Sequence, residues 1–271
     1  MLFFYSVTIC VSFSTNILER GVAMYDLIAI LGRGIQKDKK LVKKVKKESK
    51  KDPWVLTEDL EVCDKNSAHL VDRVPMDDSN PYCMIGGGEA NLLAGKLLMR
   101  QCMPKVVVCA YGHKAKYLEP EDFPNESGVM GEQLRPYLPS GCELVTWERN
   151  RYPSPLVPSN TRQEMLNVLD LALERGLSRI AFIAIGVHMP RAATYLSKHM
   201  TVYRDRYRNL STVMLETEEL LLSFDREKYS ARVEAIRNSR AFARNWVREA
   251  DGISKIVRDV YGDAKPLVVV K

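Results

Sequence analysis

The sequence predicts an α/β domain of Rossmann-like build, a parallel sheet with helices on both faces, an insertion after the first strand and helices at the carboxyl end. Three observations carry that expectation. Four short apolar runs have the length of strands buried on both faces, amphipathic segments of helical period separate them, and each run stops in a loop of glycine, histidine or charged residues. Strands and helices alternating at this spacing are joined by right-handed crossovers, which place the carboxyl ends of all the strands on one edge.

Tyr25 to Leu31 (YDLIAIL) is the first strand, stopped by Gly32-Arg33-Gly34. Residues 35–82 turn polar, carry Pro53, Pro75 and Pro81, and read as an insertion with only short helical stretches. Gly86-Gly87-Gly88-Glu89 opens a helix over Ala90 to Gln101, with Leu92, Leu93, Leu97 and Leu98 at helical spacing. Lys105 to Ala110 is the second strand, Ser127 to Leu138 a helix, and Glu143 to Trp147 the third strand, with Glu148 at its end. Ser159 or Asn160 caps an amphipathic helix ending near Gly176, and Arg179 to Val187 is the fourth strand. Pro190 fits the first turn of a helix running to His199, Thr212 to Glu216 is a candidate fifth strand, and Glu227 to Val260 reads as one or two long helices. The expected organisation is therefore an extension over 1–23, a core over 24–200, and a helical part over 212–271.

Composition narrows the function classes. An apolar content of 46% with 27% charged residues suits a folded domain and argues against disorder. The formal charge of +6 is local, because Lys37 to Lys51 holds nine lysines against Asp38 and Glu48 and leaves the rest near neutral. Such a run reads first as a solvated helix or loop, with contact to nucleic acid or an anionic membrane as the lesser alternative. The six cysteines are scattered without a C-x-x-C pair or a metal-type cluster, as free thiols of a reducing, cytoplasmic compartment would be. Met1 to Phe13 is apolar but too short to span a membrane and has no basic residue before it, so translation is expected to start at Met24, the residue before the first strand.

Chemistry is expected where the strands end. Gly32 and Gly34 let the backbone turn and offer amides to an anion, although the third glycine of a dinucleotide fingerprint is replaced by Lys37. Gly86 and Gly87 offer amides in the same way, or form a hinge. Arg191 stands in the first turn of a helix, where a cation opposes the helix dipole, so an anionic partner is expected: a ligand phosphate or carboxylate, or a protein carboxylate such as Glu148. His188 beside it is a candidate proton donor or phosphate contact. Asn160 and Gln163 have capping-box spacing, while Thr161 and Arg162 at that helix start face the same edge.

LGRG, VVVCAYG, ESGVMGEQL, Glu148 followed by SNTRQE, and GVHMPRA stand in the order seen in the YdcF/SanA/ElyC-like family, also called domain of unknown function 218, which the chain resembles over about Tyr25 to His199. The resemblance implies a Rossmann-like sheet and puts Gly32, Gly34, Gly112, Glu126, Glu148, Asn160, Thr161, His188 and Arg191 at the family's recurrent positions. Tyr111-Gly112-His113 departs from the family's Ser-Gly-Gly turn, and Gln163-Glu164 from its Glu-Asn, which leaves the ligand's identity open. The expected function is binding of a phosphorylated or nucleotide-like small molecule by Arg191, Arg162, His113 and backbone amides, with Glu148 and His188 as acid/base candidates for transfer or hydrolysis. The alternative is a non-catalytic sensor of a nucleotide or S-adenosylmethionine-like ligand. No metal site is expected.

Overall fold

The computed structural model describes residues 24–37, 54–62, 78–110, 126–147 and 161–258. The extension 1–23, nearly all of the lysine run, and Glu148, Gly112, His113 and Asn160 lie outside the described residues, as do Leu267 to Val270.

Five strands form one parallel sheet: β1 (Leu27–Ile30), β6 (Val106–Cys109), β7 (Glu143–Thr146), β8 (Arg179–Ala184) and β9 (Ser211–Glu216). Their spatial order is β7-β6-β1-β8-β9. Counted along the chain this is the order 3-2-1-4-5 of Rossmann-like folds, with the direction of winding reversing between β1 and β8. Leu27 is in register with Val106 on one side and Ile180 on the other, so β1 lies between two parallel neighbours and is wholly buried.

Burial on both faces is why these strands are continuous apolar runs. Leu27, Ala29, Val106, Val108, Ile180 and Phe182 point to the layer of α3 (Thr161–Glu174) and α4 (Met189–Val202). Ile28, Ile30, Val107, Cys109, Ala181 and Ile183 point to the opposite layer, that of α1 (Gly88–Cys102), α2 (Glu126–Leu134) and α6 (Thr217–Phe224). The alternation of neighbours between layers is the two-residue period of a strand. α3 stops as expected at Gly176, whose φ of 62° is left-handed, while the Leu177 amide reaches back to the Ala172 carbonyl at 2.8 Å.

The insertion differs from its expected character. Its described residues include short strands: β2 (Ile35–Lys37) pairs antiparallel with β3 (Trp54–Leu56), and β4 (Leu60–Val62) with β5 (Cys83–Ile85), which follows directly after the insertion. Trp, Val, Ile and Leu in these three-residue stretches favour a half-buried pleated surface, a pattern too brief to stand out against the polar background. After the short α5 (Arg204–Tyr207) and β9, the carboxyl part forms α6, α7 (Arg226–Arg237) and α8 (Arg240–Val257). Among the described residues no helix is long and apolar enough to cross a membrane.

Candidate functional site

The loop after β1 wraps a protein carboxylate. Glu126 Oε1 accepts hydrogen bonds from the amides of Arg33 and Gly34, both at 2.5 Å. A Cβ on Gly32 would lie 2.7 Å from the Glu126 carboxyl carbon, so only glycine lets the carboxyl group settle against the turn. The amide nest expected to hold a ligand anion is thus occupied by Glu126, itself one of the sequence-predicted site residues. Behind it, Ser127 donates to the Cys109 carbonyl at 2.6 Å and accepts from the Trp147 amide at 3.0 Å, tying the ends of β6 and β7 together. The Cys109 thiol is pushed up to about 12 by burial and, secondarily, by Glu126, which makes it an inert core group.

Gly86 and Gly87 are likewise committed to the protein. Their amides donate to the carbonyls of Asp59 and Glu58, and those of Gly88 and Glu89 to the hydroxyl and carbonyl of Thr57. The glycines therefore seat the start of α1 on the β3–β4 connection.

The reversal point between β1 and β8 gathers the ionisable groups. His188 caps α4 and is 3% exposed. Its Nδ1 is 3.2 Å from each carboxylate oxygen of Glu249, and its Nε2 is 3.3 Å from the Thr161 hydroxyl. Arg191 Nε lies 2.7 Å from Glu249 Oε2, and Arg191 Nη2 is 3.2 Å from His188 Nδ1. Arg33 approaches Glu249 at 3.9 Å while donating to the carbonyls of Gly86 at 3.0 Å and Ile85 at 2.8 Å. The anionic partner foreseen for Arg191 is therefore a protein carboxylate, and it is Glu249 from the last described helix.

Burial decides the protonation states. It pushes the His188 imidazole down to about 4, against the pull of Glu249 and with help from Arg33 and Arg191, so the ring is neutral at pH 7. Burial also works to raise the Glu249 carboxyl, but its bond to His188 and the two arginines outweigh that and hold it below its ordinary value. Glu164, on the buried face of α3, is raised well above the usual carboxylate range by burial and by the like charge of Glu126, despite Arg191 and Arg33. Further along the same edge Glu218 accepts from the Gly186 amide at 2.7 Å and is raised to about 7 by burial and by Glu216.

Thr161, His188, Arg191 and Glu126 thus converge near the carboxyl ends of the central strands, together with Arg33, Glu164 and Glu249. Arg162 does not join them. It meets His199 of α4, whose imidazole is held down to about 4 by burial first and by the Arg162 charge second. Glu249 escaped sequence reading because it sits in a charged helix, yet a signal existed: Ala241, Asn245, Glu249, Gly252 and Ile256 are the buried stripe of α8, with two polar residues in an apolar seam. Among the described residues no group of three or more His, Cys, Asp or Glu side chains is arranged to hold a metal ion. A shallow hollow at the opposite, amino edge of the sheet is lined by Met24, Tyr25, Arg179 and Val213 and gathers no acid/base pair.

No family model, no curated protein and no solved structure matches this chain.

Proposed function

We propose that the crevice outside the carboxyl ends of β1 and β8, where the resemblance to the YdcF/SanA/ElyC-like family puts a site, binds a phosphorylated or nucleotide-like small molecule, and that its residues support transfer or hydrolysis of a phosphoryl group. The observation that carries the reading is the convergence of Arg33, Arg191, His188, Glu249 and Glu164 at the point where the strand order reverses. Open α/β sheets bind ligands there. Buried groups with displaced pKa values cluster where proton transfer or charge stabilisation is needed. Arg191, one-fifth exposed at the start of α4, is the cation nearest to solvent in this set, and a guanidinium fork suits two phosphate oxygens at once.

Adenosine diphosphate is the probe for calorimetric titration. The expected result is one site per chain, with affinity falling about tenfold or more in Arg191→Lys, which keeps the charge and loses the fork. Absence of binding, or equal affinity in the two proteins, contradicts the reading. A second reading is a non-catalytic nucleotide or S-adenosylmethionine-like sensor that meets a partner through its carboxyl-terminal helices, for which the outer face of α8 offers Trp246, 49% exposed, and Val247, 69% exposed. Turnover of a phosphorylated substrate separates the two.

A further inference from the structure

The three groups Thr161, His188 and Glu249 stand in the order hydroxyl, imidazole, carboxylate. We propose that they form a nucleophilic relay in which Thr161 Oγ1 attacks the phosphorus of a phosphate ester, His188 takes its proton, and Glu249 positions the ring. This rests on the reading of a phosphorylated substrate given above and adds to it the attacking atom and a covalent intermediate.

The order of the three groups suggests the roles. Two contacts compete at Nδ1: Glu249, which can only accept, has both carboxylate oxygens 3.2 Å away, and Arg191 Nη2, which can only donate, is also 3.2 Å away. The relay uses the tautomer that Glu249 favours, with the hydrogen on Nδ1 and the Nε2 lone pair facing the Thr161 hydroxyl at 3.3 Å. The Arg191 guanidinium, at 2.7 Å from Glu249, keeps that carboxylate charged and in place. A neutral imidazole at pH 7 is the form that can accept a proton, and burial maintains it. Such constellations are recognised by geometry and occur on unrelated folds in different chain orders. Thr161 is partly exposed, as an attacking group must be, whereas His188 and Glu249 are buried behind it.

In the first step the bond from Thr161 Oγ1 to phosphorus forms, the hydroxyl proton passes to His188 Nε2, and the bond from phosphorus to the leaving oxygen breaks. His188 returns the proton to that oxygen, so an alcohol departs and a phosphothreonine remains. Water then attacks phosphorus and gives a proton to His188, the phosphorus–Oγ1 bond breaks, and the proton restores the threonine hydroxyl as phosphate leaves. No oxidant or further reactant is consumed besides water.

Diisopropyl fluorophosphate tests the relay directly, since attack forms the Oγ1–phosphorus bond and expels fluoride, and the neutral reagent does not depend on an anion site. Intact-mass and peptide analysis of the full chain is expected to find one adduct, on Thr161, preserved in Thr161→Ser and absent in Thr161→Val. The rate should drop at least 100-fold in His188→Gln. It should fall comparably in Glu249→Gln, where an amide can turn its NH2 toward Nδ1 and enforce the wrong tautomer, while thermal unfolding shows both variants folded. The wild-type rate should stay nearly flat from pH 6 to 8, because His188 is already neutral, whereas an unassisted hydroxyl would gain about tenfold per pH unit as it ionises. No adduct, an adduct elsewhere, or labelling indifferent to His188 overturns the relay. Adenosine diphosphate binding without an adduct would leave the ligand reading standing alone, and an adduct without such binding would remove the ligand reading and keep the relay.

Discussion

Glu218 is fully buried, and burial together with the neighbouring Glu216 pushes its carboxyl up to about 7, so this one residue makes folding depend on pH in a defined direction. The folded protein keeps the proton up to about pH 7, whereas an unfolded glutamate releases it near 4.5, so stability is lost as pH rises through that window. Glu218→Gln stays neutral and still offers an oxygen to the Gly186 amide. Urea titration is expected to find the variant gaining of order 1–3 kcal/mol over wild type between pH 5 and pH 8; an unchanged difference would show that Glu218 ionises freely in the fold. His188 acts with the opposite sign, its contribution being lost as pH falls from 6.5 toward 4. Arg191 illustrates how a residue can be found by sequence while its partner is not. A cation in the first turn of a helix calls for an anion, and the sequence suggests a ligand or a protein carboxylate such as Glu148. With Glu249 at 2.7 Å, Arg191→Ala strands a buried carboxylate, so the expected cost is about 1–3 kcal/mol rather than the small change that a purely ligand-facing arginine would give.

At the scale of elements, α8 does more than cover the sheet. Its buried stripe carries Asn245, whose Oδ1 accepts the Ile85 amide at 2.7 Å, one turn before Glu249 enters the site. Arg244 donates to the Cys83 carbonyl at 2.9 Å, so the helix is bound along the free edge of β5. Asn245→Ala leaves the Ile85 amide without that acceptor and is expected to cost about 1–3 kcal/mol in chemical denaturation. Because the same helix delivers Glu249, the variant should also slow any His188-dependent reaction; a variant as stable as wild type would show the contact to be incidental. The long strands and helices were legible because burial on two faces, or on one stripe, writes itself as a period. The three-residue strands of the insertion were not, since a pattern that brief has no period, and pairing partners as distant as Leu60 and Ile85 leave no local trace.

For the whole molecule, the alternation of strands and helices was enough to bring the strand ends to one edge, which is why Thr161, His188 and Arg191 meet although they come from different crossovers. What the alternation could not give is the order of strands, and with it the reversal between β1 and β8 that marks the site. Nor could it say that the Gly32 to Gly34 amides would be taken by Glu126, because 92 residues separate the Gly34 amide from that carboxylate. On the proposed function, ligand binds at this reversal point on the carboxyl edge of the sheet. Hydrogen exchange read by mass spectrometry, with and without adenosine diphosphate, tests it most directly. Added protection is expected in peptides covering Gly32 to Gly34 and Gly186 to Arg191; protection at the amino edge instead, around Tyr25, Ile180 and Val213, or no change at either edge, would refute binding at the reversal point.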